Sequence, residues 1–292
     1  MKQVHIIVGP TASGKTAAAI RLAQKLQTEI ISADSRQCFR ELNIGVARPS
    51  PQELSLVPHH FIATHSIRES VNAAIFESYA LEKATEIFKK HDQLVMVGGT
   101  GLYLKAFSEG LDQIPAIDQQ IRLEVIRQYD SRGISWLQEE LKNKDPQFFS
   151  KGEIQNPQRA MRALEVVQST GRSILSFQTG KKRKRKFQVK TIGIEIEKTI
   201  LNERINQRVE QMFDNGLLAE VQSLVEYKSL PVLRTVGYSE LFEHLDGNIT
   251  LGQASQLIKT HTRQYAKRQM TWFKKDASIQ WLDPEEIIAA FS

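Results

Sequence analysis

The chain has one cysteine, Cys38, in 292 residues. A single thiol excludes an internal disulfide and a cysteine-cluster metal site, and such usage favours the cytoplasm. No apolar run approaches the roughly 18 residues of a membrane span. The opening "MKQVHIIVGP" holds one lysine and a short apolar run that meets Gly9, which is unlike a secretory leader. A general excess of one charge is also missing. Basic residues outnumber acidic ones by 39 to 33, and the six cations of Lys181–Lys186, "KKRKRK", equal that whole surplus. A polyanion partner is therefore suggested by one concentrated run rather than by overall basicity. The pair His59–His60 has no Cys, Asp or third His at ligand spacing, so no metal is assigned to it.

What remains is an ordinary globular composition, 41% hydrophobic and 25% charged. Short Ile/Val-rich segments at Val4–Val8, Glu29–Ala33, Leu94–Val97 and Thr191–Ile196 read as buried parallel strands, with "SIQWLD" as a possible last one. Helical text separates them; in Thr16–Gln27, for example, Ile20, Ala23 and Leu26 fall three apart on one face. Alternating strands and helices predict an α/β fold, a parallel sheet flanked by helices. From about Ile117 to Phe177 no strand candidate occurs, and Gly133, Pro146, Pro157 and Gly171 cut that stretch into three helices. The expected organisation is a core of residues 1–115 and 187–292 with an all-helical insertion domain at 116–186.

"GPTASGKT", Gly9 to Thr16, satisfies the P-loop spacing in full: Gly9, Pro10, Thr11, Ala12, Ser13, Gly14, Lys15, Thr16. Its glycines let the backbone curl so that successive amides face phosphate oxygens, and the following helix adds its positive end. Lys15 then bridges terminal phosphates, and the Thr16 hydroxyl can hold Mg2+. The predicted core is thus P-loop NTPase-like. A nucleotide kinase or hydrolase also needs a carboxylate at another strand end, and "LVMV" runs instead into "GGTGLY" with no acid at its tip. The acid lies elsewhere: "IISADSRQCF" puts Asp34 just beyond the second strand, at the carboxyl edge where parallel sheets place their chemistry. Asp34 reads either as a turn residue or as a general base in a phosphate cleft.

The segments "GPTASGKT", "SADSRQ", "VGGTGLYLKA", "NPQRAMRALEV", "RTVGYSEL" and "YAKRQMTWFKK", in this order from Gly9 to Lys275, resemble the tRNA dimethylallyltransferases (isopentenyltransferases). The resemblance implies transfer of a dimethylallyl group from dimethylallyl diphosphate to N6 of the adenosine following the anticodon, tRNA position 37. The bound phosphates would then be the leaving group. It implies that Asp34 is the catalytic base, that Arg234 reaches the diphosphate, and that Ser35, Arg36, Gln37, Thr100, Arg122, Gln158, Arg159, Ala160, Met161 and Arg162 contact the tRNA anticodon stem-loop. It also implies a monomer; no membrane association is expected, because no apolar run is long enough for a span. The segment from Lys259 to Lys275, with six Lys/Arg and no acid, is expected to track phosphates, and Lys181–Lys186 to form a flexible loop on the insertion against RNA. The chain departs from the family pattern at Phe39, where tyrosine is common, and at Asn43 and Val46, where aspartate and threonine are usual. The competing readings are a small-molecule P-loop kinase and a non-catalytic RNA-binding protein on the same fold.

Overall fold

A computed structural model describes residues 1–284 and 286–290. The chain packs into two compact units, Met1–Gly110 with Lys184–Ser292, and Leu111–Arg183. Among the described residues no helix is long and apolar enough to cross a membrane.

The first unit is built on six parallel strands in the order β3-β2-β4-β1-β5-β6. They are β1 (Gln3–Val8), β2 (Ile30–Ser32), β3 (His59–His60), β4 (Gln93–Val97), β5 (Gln188–Ile194) and β6 (Gln280–Leu282). Around them run α1 (Lys15–Lys25), α2 (Pro51–Leu56), α3 (Ala73–Ile87) and α4 (Gly101–Glu109). The chain then leaves for the second unit through α5 (Gln119–Lys144), α6 (Pro146–Lys151) and α7 (Pro157–Thr170), and returns for α8 (Lys198–Asp214), α9 (Leu217–Gln222), α10 (Tyr238–Leu245), α11 (Leu251–Phe273) and α12 (Glu286–Ala289). Strands predicted from Ile/Val content are all present, with β5 starting and ending earlier than expected. The two-residue edge strand β3 has no apolar signature and was not predicted; its His60 Nε2 meets Glu29 Oε2 at 2.5 Å.

Burial follows the sequence pattern. Ile7, Leu22, Ile30, Val95, Ile192 and Ile194 form one fully buried layer between the sheet and α1. Removing each such side chain from water is worth roughly 1.5–3 kcal/mol. On another part of the unit, Phe76 stacks on Tyr103 at 4.5 Å, and Phe61 meets Phe76 edge-on at 5.0 Å. Parallel pairing brings the carboxyl ends of β1, β2 and β4 to one edge of the sheet, and that edge carries the phosphate loop, the Asp34 loop and the "GGTG" turn.

The second unit has its own core of Val125, Trp136, Leu137, Leu141, Phe148, Leu164 and Val167. Gly133, at φ 73° and ψ −168°, breaks α5 in two, and Gly171 ends α7 in the left-handed region at φ 68°. Pro146 starts a further short helix, α6, with the Asp145 carboxylate accepting from Phe148 N at 2.9 Å.

The basic run departs from a uniformly flexible loop on the insertion. Lys184–Lys186 belong to the first unit. Arg185 is largely buried there, donating to Glu77 Oε1 at 2.6 Å and to the Ala106 carbonyl at 2.7 Å. Glu77 sits on α3 with its side chain 10% exposed, and a carboxylate that buried needs a cation; local charge density in the sequence carries no record of such a partner.

Candidate active site

Asp34 and the phosphate loop open onto one cavity of about 500 Å³. The loop from Thr11 to Thr16 forms one wall, followed by Ala17; Ser32 and Asp34 to Gln37 form another, and Gly98 and Gly99 of the "GGTG" turn lie between.

The loop's curl is set by backbone signs. Ala12 takes φ 65° and Gly14 takes φ 90°. The Gly14 conformation costs little without a Cβ, and it lets Gly14 stand as the N-cap of α1 with no side chain occupying the helix's free amides. No acidic residue sits in the first turn of α1 either, so its positive end is left for an anion. Gly9 and Pro10 complete the loop; the Pro10 carbonyl accepts from Lys15 Nζ at 2.5 Å. The Ser13 hydroxyl is buried without a hydrogen-bond partner among the described residues. Burial, then the like charge of Arg208, pushes the Lys15 ammonium down to about 7, against the opposing pull of Asp34. An arriving diphosphate reverses that balance.

Asp34 is held by its own turn. Its Oδ1 accepts from the amides of Arg36 at 2.8 Å and Gln37 at 3.2 Å, an arrangement Asp favours after a strand. Oδ1 is thereby committed to structure, and Oδ2 carries no hydrogen bond among the described residues. Ser35 is fixed from behind: its amide donates to Thr100 Oγ1 at 3.1 Å. Thr100 is therefore placed at the start of α4 with its hydroxyl turned to the Asp34 loop, and is not among the residues lining the cavity. Gln37 donates through Nε2 to the carbonyls of Val46 and Ala47 at 3.3 and 3.0 Å, which ties the loop of Asn43 and Val46 to the same wall. The side chain of Phe39 is 2% exposed, a core residue where a tyrosine hydroxyl would have to be buried. Cys38 lies beneath the turn, its thiol pushed up to about 12 by burial and by Asp34.

Two residues of this site have no signature in the sequence. Arg208, on α8, lines the cavity and donates to Thr11 Oγ1 at 3.4 Å; burial lowers its pKa from the usual arginine value. In "NQRVEQ" it is indistinguishable from a solvated helix face. Gln269, on α11, accepts from Thr11 N at 2.8 Å and donates to the Gly99 carbonyl at 3.1 Å. It lies inside a motif read for its charges, and those charges are partly engaged: Lys259 Nζ meets Glu210 Oε1 at 2.7 Å and Arg263 meets Asn206 Oδ1 at 2.7 Å. Arg234 is exposed at the end of the short 3-10 turn Pro231–Leu233; its neighbours Thr235, Val236 and Gly237 line the cavity.

The expected RNA-contacting residues of the second unit cluster on α7 and the start of α5. Gln158, Arg159 and Arg122 are exposed and Arg162 is half-buried. Arg159 pairs with Glu153, and Arg162 and Arg122 approach the buried Glu165 at 3.1 and 4.0 Å. Ala160 is fully buried and Met161 packs partly on the same core, because α7 turns that face to α5.

Magnesium fits the donor set. No group of three His, Cys, Asp or Glu side chains that could cage an ion occurs among the described residues. Mg2+ bound with phosphates keeps most of its shell as phosphate oxygens and water rather than a protein cage, and Thr16, whose hydroxyl would hold it, lines the cavity where the loop becomes α1.

A model of the family described as IPP transferase matches residues 37–276. A tRNA dimethylallyltransferase of Cytophaga hutchinsonii is 43% identical over 286 residues, 98% of this chain and 94% of the relative. That of Christiangramia forsetii is 45% identical over 280 residues, covering 96% and 93%. Among solved structures, a tRNA isopentenylpyrophosphate transferase of Bacillus halodurans superposes with a TM-score of 0.71 at 34% identity, covering 99% of this chain and 94% of that one. A eukaryotic dimethylallyltransferase acting on tRNA superposes with a TM-score of 0.78 at 26% identity, covering 97% and 74%. On the six-stranded parallel sheet, the phosphate loop and these likenesses together, the chain belongs to the IPP transferase family.

Proposed function

We propose that this chain transfers a dimethylallyl group from dimethylallyl diphosphate to N6 of the adenosine 3′ to the anticodon of tRNA, releasing diphosphate. One observation carries the reading: a carboxylate and a diphosphate cradle share a single cavity, with Asp34 on one wall and Lys15 on another.

In the reaction N6 bonds to the allylic carbon, the carbon–oxygen bond to diphosphate breaks, and one N6 hydrogen leaves as a proton. An exocyclic adenine amine is a weak nucleophile because its lone pair is delocalised. Asp34 Oδ2 takes the proton as the new bond forms, a contribution of about 10²–10⁴-fold. Charge growing on the departing oxygens is met by the loop amides, the α1 amino end, Lys15 and Arg208. A magnesium ion held by Thr16 would supply further charge to the same oxygens. Arg234 is assigned to the diphosphate from its place beside Thr235.

The adenine has to leave its stack to reach this wall, at a cost of a few kcal/mol, least in a single-stranded loop. Ser35, Arg36, Gln37 and Thr100 are assigned to the nucleotides around it. The second unit, Leu111–Arg183, holds the stem through Arg122, Gln158, Arg159, Met161 and Arg162, while Ala160, fully buried in α7, supports them from the core side. The enzyme is assigned as a cytoplasmic monomer.

A phosphoryl-transfer reading is disfavoured by the site's acids. Besides Asp34 the cavity wall holds Glu53, whose Oε2 accepts the Ser50 amide at 2.8 Å in the capping box of α2 rather than standing at a strand end. Incubation with tRNA and either labelled dimethylallyl diphosphate or γ-labelled ATP tests the proposal. Label passing from the allylic donor into tRNA is the expected result. Label passing from ATP, or from neither, overturns it.

A further inference from the structure

A second cavity, about 380 Å³, lies at the opposite edge of the sheet, where Lys2 precedes β1 and Lys186 and Phe187 precede β5. The six residues of β1 separate it from the phosphate loop, about 20 Å at the usual strand rise. Its wall carries five cations, Lys2, Lys89, Lys184, Arg185 and Lys186, and no acid. Two of them are satisfied: Lys2 by Asp92 and the His91 carbonyl, Arg185 by Glu77 and the Ala106 carbonyl. Lys184 and Lys186 have no polar side-chain partner among the described residues, and Lys89 has the nearby charge of the exposed Glu86 but no hydrogen bond to it.

The floor is aromatic. Phe88 and Phe187 both line the cavity and are half-buried, and their rings stand 5.9 Å apart at 45°. Phe187 is backed by Phe107, stacked at 5.0 Å, so its orientation is set from below. The buried Arg185 fixes the backbone of the basic run against α3 and α4, which holds the flanking Lys184 and Lys186 at the rim instead of leaving them to spread into solvent. Confining like charges beside one cavity is unfavourable until an anion arrives. Half-open rings beneath a cationic rim are the combination that takes a nucleotide, base on the rings and phosphate on the ammonium groups.

We propose that this cavity is a nucleotide-binding site distinct from the catalytic one. The shared ligand chemistry has two sources, a free nucleotide or one nucleotide unit of an RNA strand. Calorimetric titration with ATP, and separately with a single-stranded ten-nucleotide RNA, distinguishes them. The protein used is Lys15→Ala, in which the phosphate loop is disabled, compared with the same protein carrying Lys89→Ala and Lys186→Ala. Both replaced lysines are exposed, and equal thermal midpoints check that folding is intact. At least a tenfold loss of ATP affinity on replacing the lysines supports the proposal with a free nucleotide as ligand. The same loss for RNA alone supports it with a polynucleotide. No binding of either ligand to Lys15→Ala, or binding that the lysine replacements leave unchanged, overturns it. In the wild-type background, Lys89→Ala alone is expected to leave prenyl transfer to a minimal anticodon stem-loop unchanged, so failure here is separable from failure of the catalytic reading.

Discussion

Gln269 holds Thr11: its Oε1 accepts the Thr11 amide at 2.8 Å. The last long helix thereby fixes the phosphate loop, and the same side chain reaches the Gly99 carbonyl with its other end. Replacing it with alanine leaves two backbone groups without their partner at a residue only 6% exposed. Gln269→Ala is expected to lower stability by about 1–3 kcal/mol and to raise KM for dimethylallyl diphosphate, as read by denaturant unfolding and steady-state kinetics. Unchanged stability would remove the clamp.

Asp34→Asn separates chemistry from structure. An asparagine Oδ1 can still accept the Arg36 and Gln37 amides that Asp34 holds now, so the turn survives, but the proposed base is gone. Turnover should fall about 10²–10⁴-fold while tRNA affinity stays within about twofold. Equal losses of both would make Asp34 a positioning residue only.

In the proposed reaction, Lys15 makes diphosphate binding a proton-linked event. With its ammonium held near 7 in the free protein, most molecules carry a neutral lysine at pH 8, and the bound anion draws a proton back. Affinity is then full below pH 7 on the lysine side and declines as pH rises above it, toward the higher pKa of the bound state. Calorimetry at pH 8 in two buffers of different ionisation enthalpy should read uptake approaching one proton, lost in Lys15→Ala. Zero uptake in the wild type would contradict the arrangement.

Arg208→Ala deletes a buried cation from the cavity wall. Charged hydrogen bonds are worth about 1.5–3 kcal/mol, so diphosphate affinity should drop roughly 10- to 100-fold. The tRNA affinity, measured by filter binding without the donor, should hardly change. A loss confined to tRNA would move Arg208 to the other substrate.

Gly98→Ala tests how closely β2 and β4 approach at the site. A Cβ there would come within 2.2 Å of the Ala33 carbonyl oxygen, a backbone atom that cannot swing aside. We expect a loss of about 3 kcal/mol or more, visible as a shifted denaturation midpoint. A neutral substitution would mean the turn sits elsewhere.

Local chemistry made several features readable in advance. The phosphate loop depends on glycine spacing, β1, β4 and β5 on short Ile/Val runs, and the break in α5 and the end of α7 on Gly133 and Gly171. Each of these is decided within a few neighbouring residues, so the sequence alone determined them, and with them the α/β class. Arg208, Gln269 and the Arg185–Glu77 pair depended on the packing of distant segments. Arg208 meets a loop 197 residues away in the chain, Gln269 one 258 away, and Arg185 a carboxylate 108 away. Only the tertiary structure could decide which cations turn inward, because a charge on a helix has the same local pattern whether it faces water or a buried partner. Desolvation, which gives each of these contacts its weight, exists only once the sheet and its helices have closed around it.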